Sequence, residues 1–319
     1  MTSGSTSRAE DRDDRPSIPT RLLVHALVRE DGTVDADELY TVAGILGMTD
    51  QQVRLCVKRL VTEGGFTQEG RGRKATLRAV ADVTGSLAPD AAYVRHAYRQ
   101  DAGLAPWDGT WHLFAFAIPE SRRTARDALR EHLLHLGAAP VQSGLYVTAN
   151  HVTGHVEAQA RHLGVLDALS CLSTTDLRIG GVTDPRALAT ALWPLRQIAE
   201  RHERLAAFAE SRLTLLTEGP EPSDAERLTT AVELAAHFTA AMDPDPLLPP
   251  ELLPTPWPGS HARRLAAACW RTLAETRAPG GTPAPRLFTH YAEALRSADE
   301  NQERPRRQGN RPSSVSDRS

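Results

Sequence analysis

Thr49-Asp-Gln-Gln-Val-Arg-Leu-Cys-Val-Lys-Arg-Leu-Val-Thr-Glu-Gly-Gly65 reads as one short helix with both ends marked. Thr49 can accept from a free N–H of the first turn, and Gln52, three residues on, can reach back to the Thr49 N–H. Val53, Cys56, Val57, Leu60 and Val61 recur at i, i+3, i+4, i+7 and i+8, which gathers them on one inward face. Gly64-Gly65 ends the run, since glycine closes a helix at little steric cost. With Val53 at the centre of the buried stripe, 100° per residue puts Gln51, Arg54, Leu55 and Lys58 on the outer face, with Arg59 on the flank.

Upstream, Pro19 opens a helix with Leu22, Leu23, Ala26 and Leu27 as its apolar stripe. Asp35 followed by Glu38 starts a second, whose buried face is Leu39, Val42, Ala43 and Leu46, and Gly47-Met48 is the turn into the third. Downstream, Phe66–Glu69 and Lys74–Val80 can pair as strands around Gly70-Arg71-Gly72. Helix, helix, tight turn, helix and hairpin over residues 17–80 predict a winged helix-turn-helix. The charge agrees. The only two lysines, Lys58 and Lys74, fall between residues 49 and 78, where they join Arg54, Arg59, Arg71, Arg73 and Arg78 against Asp50, Glu63 and Glu69. An excess of four positive charges inside a chain of net charge −3 is the electrostatic footprint of a DNA site. Gln51, Gln52 and Arg54 are the side chains able to pair bidentately with adenine or guanine edges, and Leu55 can meet a thymine methyl. Lys58 and Arg59 suit phosphates, and Arg71, Arg73 and Lys74 at the hairpin tip suit the backbone or minor groove. The plainer alternative is a solvated helix face.

At 319 residues the chain predicts two or three domains, and 40% hydrophobic with 24% charged residues is ordinary for a globular protein. No apolar run reaches the roughly 18–20 residues of a membrane span. Met1 to Pro16 is polar and charged, unlike a signal peptide. Cys56, Cys171 and Cys269 are odd in number, far apart and set in apolar patterns, so they read as buried thiols. These features place the protein in the cytoplasm, without a cofactor or metal.

The organisation predicted is a polar tail over 1–16, the DNA-binding block over 17–80, a linker helix over 81–106, a central domain over 107–183, a mainly helical domain over 184–298 and a second tail over 299–319. The fold class is α+β, multidomain. In the centre, Trp111–Ile118 reads as a strand, Glu120–Gly137 as an amphipathic helix, Val141–Thr148 as a strand and 151–164 as a helix. Leu166–Leu172 and Leu177–Val182 are further strand candidates, and the pattern suggests the β-α-β-β-α-β order of a ferredoxin-like sandwich. A proline-rich connector, Asp243 to Gly259, interrupts the helices of the last domain.

Three segments together resemble the PaaX-like family of phenylacetate repressors. Around the third helix, Gln52 to Phe66 is similar to the family's aVRtavsRLv.eGw run and carries Arg54, Arg59, Leu60 and Gly64 onto its positions. Trp107-Asp-Gly-Thr-Trp111, Ile118-Pro-Glu120, Arg122-Arg123, Leu129-Arg130 and Gln142 to Val147 look like its Cas2-like central domain. Asp245-Pro-Leu-Leu-Pro249, Glu251-Leu-Leu-Pro254 and Trp257-Pro-Gly259 resemble its DP.LP.eLLP..W.G signature. The likeness spans roughly residues 18–275. It departs at Thr76, where the family often has tyrosine, and in one extra Asp-Pro.

What this resemblance implies is a homodimeric repressor over an inverted-repeat operator in double-stranded DNA. An aryl-CoA thioester such as phenylacetyl-CoA would release it by favouring the DNA-incompetent arrangement. Trp107, Trp111, Trp257, Arg122, Arg123 and Arg126 are the candidate effector residues, the arginines for coenzyme A phosphates. Their plainer roles are locking an interface and salt-bridging a surface. Two alternatives stand beside this: a regulator with a different effector or none, and a Cas2-like metal-dependent nuclease. The second lacks an acidic residue at the end of the first central strand, with none before Glu120, so catalysis is not expected. His132 and His135, and His151, His155 and His162, lack a completing Cys or carboxylate and read as exposed or hydrogen-bonded histidines rather than metal ligands.

Overall fold

The computed structural model describes residues 18–80, 91–275 and 285–292, so both tails lie outside the described residues. Near the N-terminus, α1 (Thr20–Ala26) follows Pro19, and α2 (Ala36–Ile45) follows Asp35, whose carboxylate accepts the Glu38 N–H. A four-residue turn leads into α3 (Asp50–Thr62), with Gly47 at φ +80°. That conformation suits glycine, which has no Cβ to clash with the backbone. Both halves of the expected cap form: Gln52 N–H donates to Thr49 Oγ1 at 3.2 Å, and Thr49 N–H donates to Gln52 Oε1 at 2.7 Å. Val53, Val57 and Leu60 are buried along α3, while Cys56 and Val61 are half-buried at its margin.

Three strands pair antiparallel in the order β1 (Thr33–Asp35), β3 (Thr76–Ala79), β2 (Phe66–Glu69). At three residues, β1 is too short to show a period of two, and the sequence gives no sign of it. The expected Lys74–Val80 strand begins only at Thr76, because Gly72–Lys74 coil into a 3₁₀ turn that lengthens the hairpin tip. Of the expected linker helix, α4 (Ala91–Asp101) is described, and residues 81–90 lie outside the described residues.

The central domain runs β4 (Trp111–Phe116), α5 (Arg123–His135), β5 (Ala139–Gln142), β6 (Leu145–Thr148), α6 (Thr153–His162) and β7 (Leu169–Thr174). Its sheet order is β5-β6-β4-β7, antiparallel throughout, the ferredoxin-like arrangement. The stretch Val141–Thr148, expected as one strand, is instead a tight hairpin turning at Ser143-Gly144. Gly144 has φ +75°, and a Cβ there would meet Phe116 O at 2.5 Å. Leu177–Val182 is not a strand either; Gly180-Gly181 turn it back so that only Ile179 and Val182 bridge. Phe114, Leu129, Leu133, Tyr146 and Val156 fill the layer between the sheet and α5/α6. The opposite layer holds Trp111, Val147, Leu188, Trp193 and Leu252.

The last region comprises α7 (Pro185–Leu192), α8 (Leu195–Glu218), α9 (Asp224–Met242) and α10 (Pro258–Glu275). A Ser223–Glu226 capping box starts α9, most of whose residues are buried. One apolar core runs unbroken from Leu23, Leu39 and Val53 through Val94 and Ala97 of α4 to Leu205, Phe238 and Trp270. The first block therefore rests on the C-terminal helices through buried side chains rather than hanging from a linker.

The thiols divide three ways. Cys269 is buried, its pKa pushed up to about 12 by desolvation, and Cys56 is half-buried. Cys171 is exposed, contrary to the expectation of burial, because β7 is an edge strand with both faces largely uncovered.

Candidate nucleic-acid interface

The buried stripe of α3 fixes what its other side can do. Gln51, Gln52, Arg54, Leu55, Lys58 and Arg59 are all exposed, and Leu55 keeps 50% of its surface in water. An exposed leucine between arginine and lysine on a well-packed helix is surface that the fold leaves unspent. Gln52 is the exception among the six, since its Oε1 is held by the Thr49 cap.

The hairpin tip is exposed at Arg71, Arg73 and Lys74. Arg73 does not reach outward. Its guanidinium lies 3.2 Å from Asp37, 3.8 Å from Asp50 and over the Tyr40 ring at 5.2 Å, so it pins the tip to the starts of α2 and α3. Between α3 and the hairpin is a cavity of about 320 Å³ whose rim carries Arg54, Lys58 and Arg71. Three cations thus converge on one groove. The flank is quieter, with Arg21 paired to Glu63 at 2.7 Å.

The candidate effector residues are brought together only in part: Trp107 and Trp257 pack against the apolar cluster that holds Trp111, while the three arginines lie elsewhere. Trp107 lines a cavity of about 810 Å³ between α4, the central domain and the connector, with its Nε1 donating to Thr110 O at 3.1 Å. Trp111 is buried in the sheet's core layer, edge-on to Trp107 at 5.2 Å and stacked on Trp193 at 6.3 Å. Trp257 borders a different cavity, of about 430 Å³, with Arg263. Arg122 donates to the Leu163 and Gly164 carbonyls, and Arg123 and Arg126 pair with Glu120 and Asp127. Those arginines tie the start of α5 to its surroundings and do not line the 810 Å³ cavity. Glu120, the first acid after β4, is held by Arg126 at 2.7 Å. Among the described residues, no group of three or more His, Cys, Asp or Glu is arranged to hold a metal ion.

Sequence reading missed the connector's role. Asp245 accepts from the Leu247 N–H at 2.8 Å and meets His202 Nε2 at 2.7 Å, with Arg263 Nη1 at 3.6 Å. Arg263 also grips Asp101 through two hydrogen bonds of 2.7 and 2.6 Å. Tyr93 donates to the Asp245 carbonyl, Gln100 to Leu247 O at 2.8 Å, and Asn150 to Pro246 O and Leu247 O at 3.0 and 3.1 Å. Leu247 itself sits at φ +49°, a region costly for a branched residue and kept only where neighbours over-determine it. The sequence marks this stretch as a proline-rich connector, but nothing in its spacing names partners such as His202, 43 residues away, or Tyr93, 152 away.

The architecture defines an α+β chain with a Cas2-like split-βαβ domain at its centre and a helical domain behind it. Residues 104–189 match the PaaX protein central Cas2-like domain, and residues 193–279 match the PaaX-like protein C-terminal domain, together more than half of the chain. The chain belongs to the PaaX-like family. It is 24% identical over 259 residues to the transcriptional repressor PaaX of Escherichia coli (strain K12), covering 81% of this chain and 80% of that one. Among solved structures it is similar to the uncharacterized protein Rv0674 from Mycobacterium tuberculosis, at 21% identity and a TM-score of 0.46, over 82% of this chain and 99% of that one.

Proposed function

We propose that the protein is a sequence-specific DNA-binding transcriptional repressor, not an enzyme, acting in the cytoplasm as a homodimer on an inverted-repeat operator. The first three helices and the β2–β3 hairpin serve as a winged helix-turn-helix, with α3 in the major groove. The observation that carries the reading is the outer face of α3, where Gln51, Arg54, Leu55 and Lys58 are exposed opposite a buried stripe. The relative named a transcriptional repressor supports the same function. The uncovered edge of β7, with Leu172 55% exposed, supports dimerisation, because an open edge offers unpaired backbone groups to a second copy. No helix among the described residues is long and apolar enough to cross a membrane.

The effector implied by the family resemblance is an aryl-CoA thioester such as phenylacetyl-CoA, which clears the operator only by binding the DNA-incompetent form more tightly. The test is titration of the full chain onto its own promoter DNA by fluorescence anisotropy, with and without phenylacetyl-CoA or free coenzyme A. Specific binding released by the thioester alone is the expected result. Binding that ignores the thioester moves the search to another effector, and no specific binding at any salt overturns the DNA assignment.

A further inference from the structure

The cavity of about 810 Å³ lies between α4, the central domain and the C-terminal region: Tyr93, His96 and Gln100 come from α4, His132 from α5, His155 from α6 and Leu247 from the connector. Its walls alternate imidazoles and the Trp107 ring with alanine, proline, leucine and methionine. Among the described residues no lysine or arginine lines it, and two aspartates do, Asp108 and Asp243. Asp108 is already matched by His151 at 3.1 Å. His132 Nε2 is buried at this wall without a hydrogen-bond partner, an exception in folded proteins, where buried polar atoms are nearly always satisfied.

These features select a ligand. The Trp107 ring and the apolar patches favour an aromatic group, and orphaned or weakly bonded imidazoles favour one polar head beside it. A ligand with several phosphates is disfavoured, since each would enter a space whose described lining offers no fixed cation and two carboxyl groups. We propose that this cavity binds a small aromatic group joined to a polar head of at most one charge, and that α4 reports its occupancy to the N-terminal block. The chemistry is shared by a free aromatic acid and by the aromatic end of a thioester whose nucleotide stays outside. The site deepens the reading of the chain as an effector-controlled repressor and rests on it.

The coupling route is one helix with two duties. Tyr93, His96 and Gln100 of α4 face the cavity, whereas Val94 and Ala97 are buried in the core shared with α1–α3. Gln100 and Tyr93 also hold the connector through Leu247 O and the Asp245 carbonyl. A ligand that displaces α4 therefore disturbs the core in which α3 is seated, through α10 and the other helices that share it.

Isothermal titration of the full chain, without DNA, with phenylacetate, phenylacetyl-CoA and coenzyme A tests the site. At least one aromatic probe should bind, and Ala92→Trp, which adds bulk at an exposed lining position, should weaken it at least tenfold. His132→Phe, which removes the imidazole while keeping a ring, should weaken the same probe, and either variant suffices if the other fails to fold. Coenzyme A alone should give no heat. Absence of binding by both aromatic probes at millimolar concentration overturns the proposal, as does unchanged affinity in folded variants or coenzyme A binding as tightly as its thioester. Operator affinity measured separately keeps the two readings apart: ligand binding without operator binding removes the repressor, and the converse removes the site.

Discussion

Gln52 offers DNA less than its position suggests, because its Oε1 accepts the Thr49 N–H at 2.7 Å and a bidentate pair with adenine needs both ends of the amide. Arg54 is not so encumbered: it is exposed on the outer face and borders the groove toward Arg71. Arg54→Ala should therefore lower operator affinity by about tenfold or more, in line with roughly 1–3 kcal/mol for a bidentate base contact, while leaving non-specific DNA binding nearly unchanged. Lys74→Ala should weaken binding to every sequence and flatten the slope of log affinity against log salt by about one. Competition anisotropy over a salt series separates the two. A pH effect belongs at this scale as well. Burial holds His96, His112 and His132 below the ordinary histidine range, so the native state resists protonation more than the unfolded chain does. The unfolded state then binds more protons below about pH 6.5, and the stability these groups confer is full above that pH and lost as pH falls toward their lowered values. Thermal unfolding between pH 8 and 5 should show the decline, and His96→Gln should make it shallower; an unchanged slope would remove His96 from the cause.

Gly137 carries the argument from residues to elements. It follows α5 at φ +80°, and a Cβ there would meet Pro246 O at 2.6 Å and Pro246 Cα at 2.8 Å. Backbone, not a pliable side chain, blocks the space, so the end of α5 and the connector must both yield. Gly137→Ala should cost about 2 kcal/mol from the backbone conformation alone, and more from the clash, seen as a lower midpoint in thermal or urea unfolding. Elements with a strong local code were legible in the sequence: α3 with its capping box and five-residue stripe, α2 behind Asp35, and the β2 half of the hairpin. Elements made by distant pairing were not. β1 exists only because β3 pairs with it, and the β5–β6 turn is a tight one that an alternating apolar run conceals. The exposed face of α3 could be read because one helix carries Gln51, Arg54, Leu55 and Lys58 and a helix has a fixed period. The cavity could not, since its walls come from four separated stretches of chain.

At the scale of the whole molecule, the connector joins what the sequence reads as successive blocks. Asp245 is 6% exposed and His202 is fully buried, and Arg263 lies between this pair and Asp101 of α4. Breaking one member of a buried ionic group leaves its partners without compensation, which costs about 3–5 kcal/mol even where the intact group adds little net stability. Asp245→Ala removes the anion, the acceptor for the Leu247 N–H and the restraint on a residue at positive φ together. In a chain this size the midpoint should fall by about 10 °C. Asp245→Asn keeps an acceptor for Leu247 and loses only the charge, so it should fall by less. Because the apolar core runs from α1–α3 into α8–α10, the loss should appear as one cooperative transition at a lower temperature, reported alike by far-ultraviolet dichroism and by tryptophan fluorescence. Two separated transitions, with the N-terminal block melting at its original midpoint, would show that the connector does not bind the regions into one unit and would take away the route by which a ligand beside α4 could move α3.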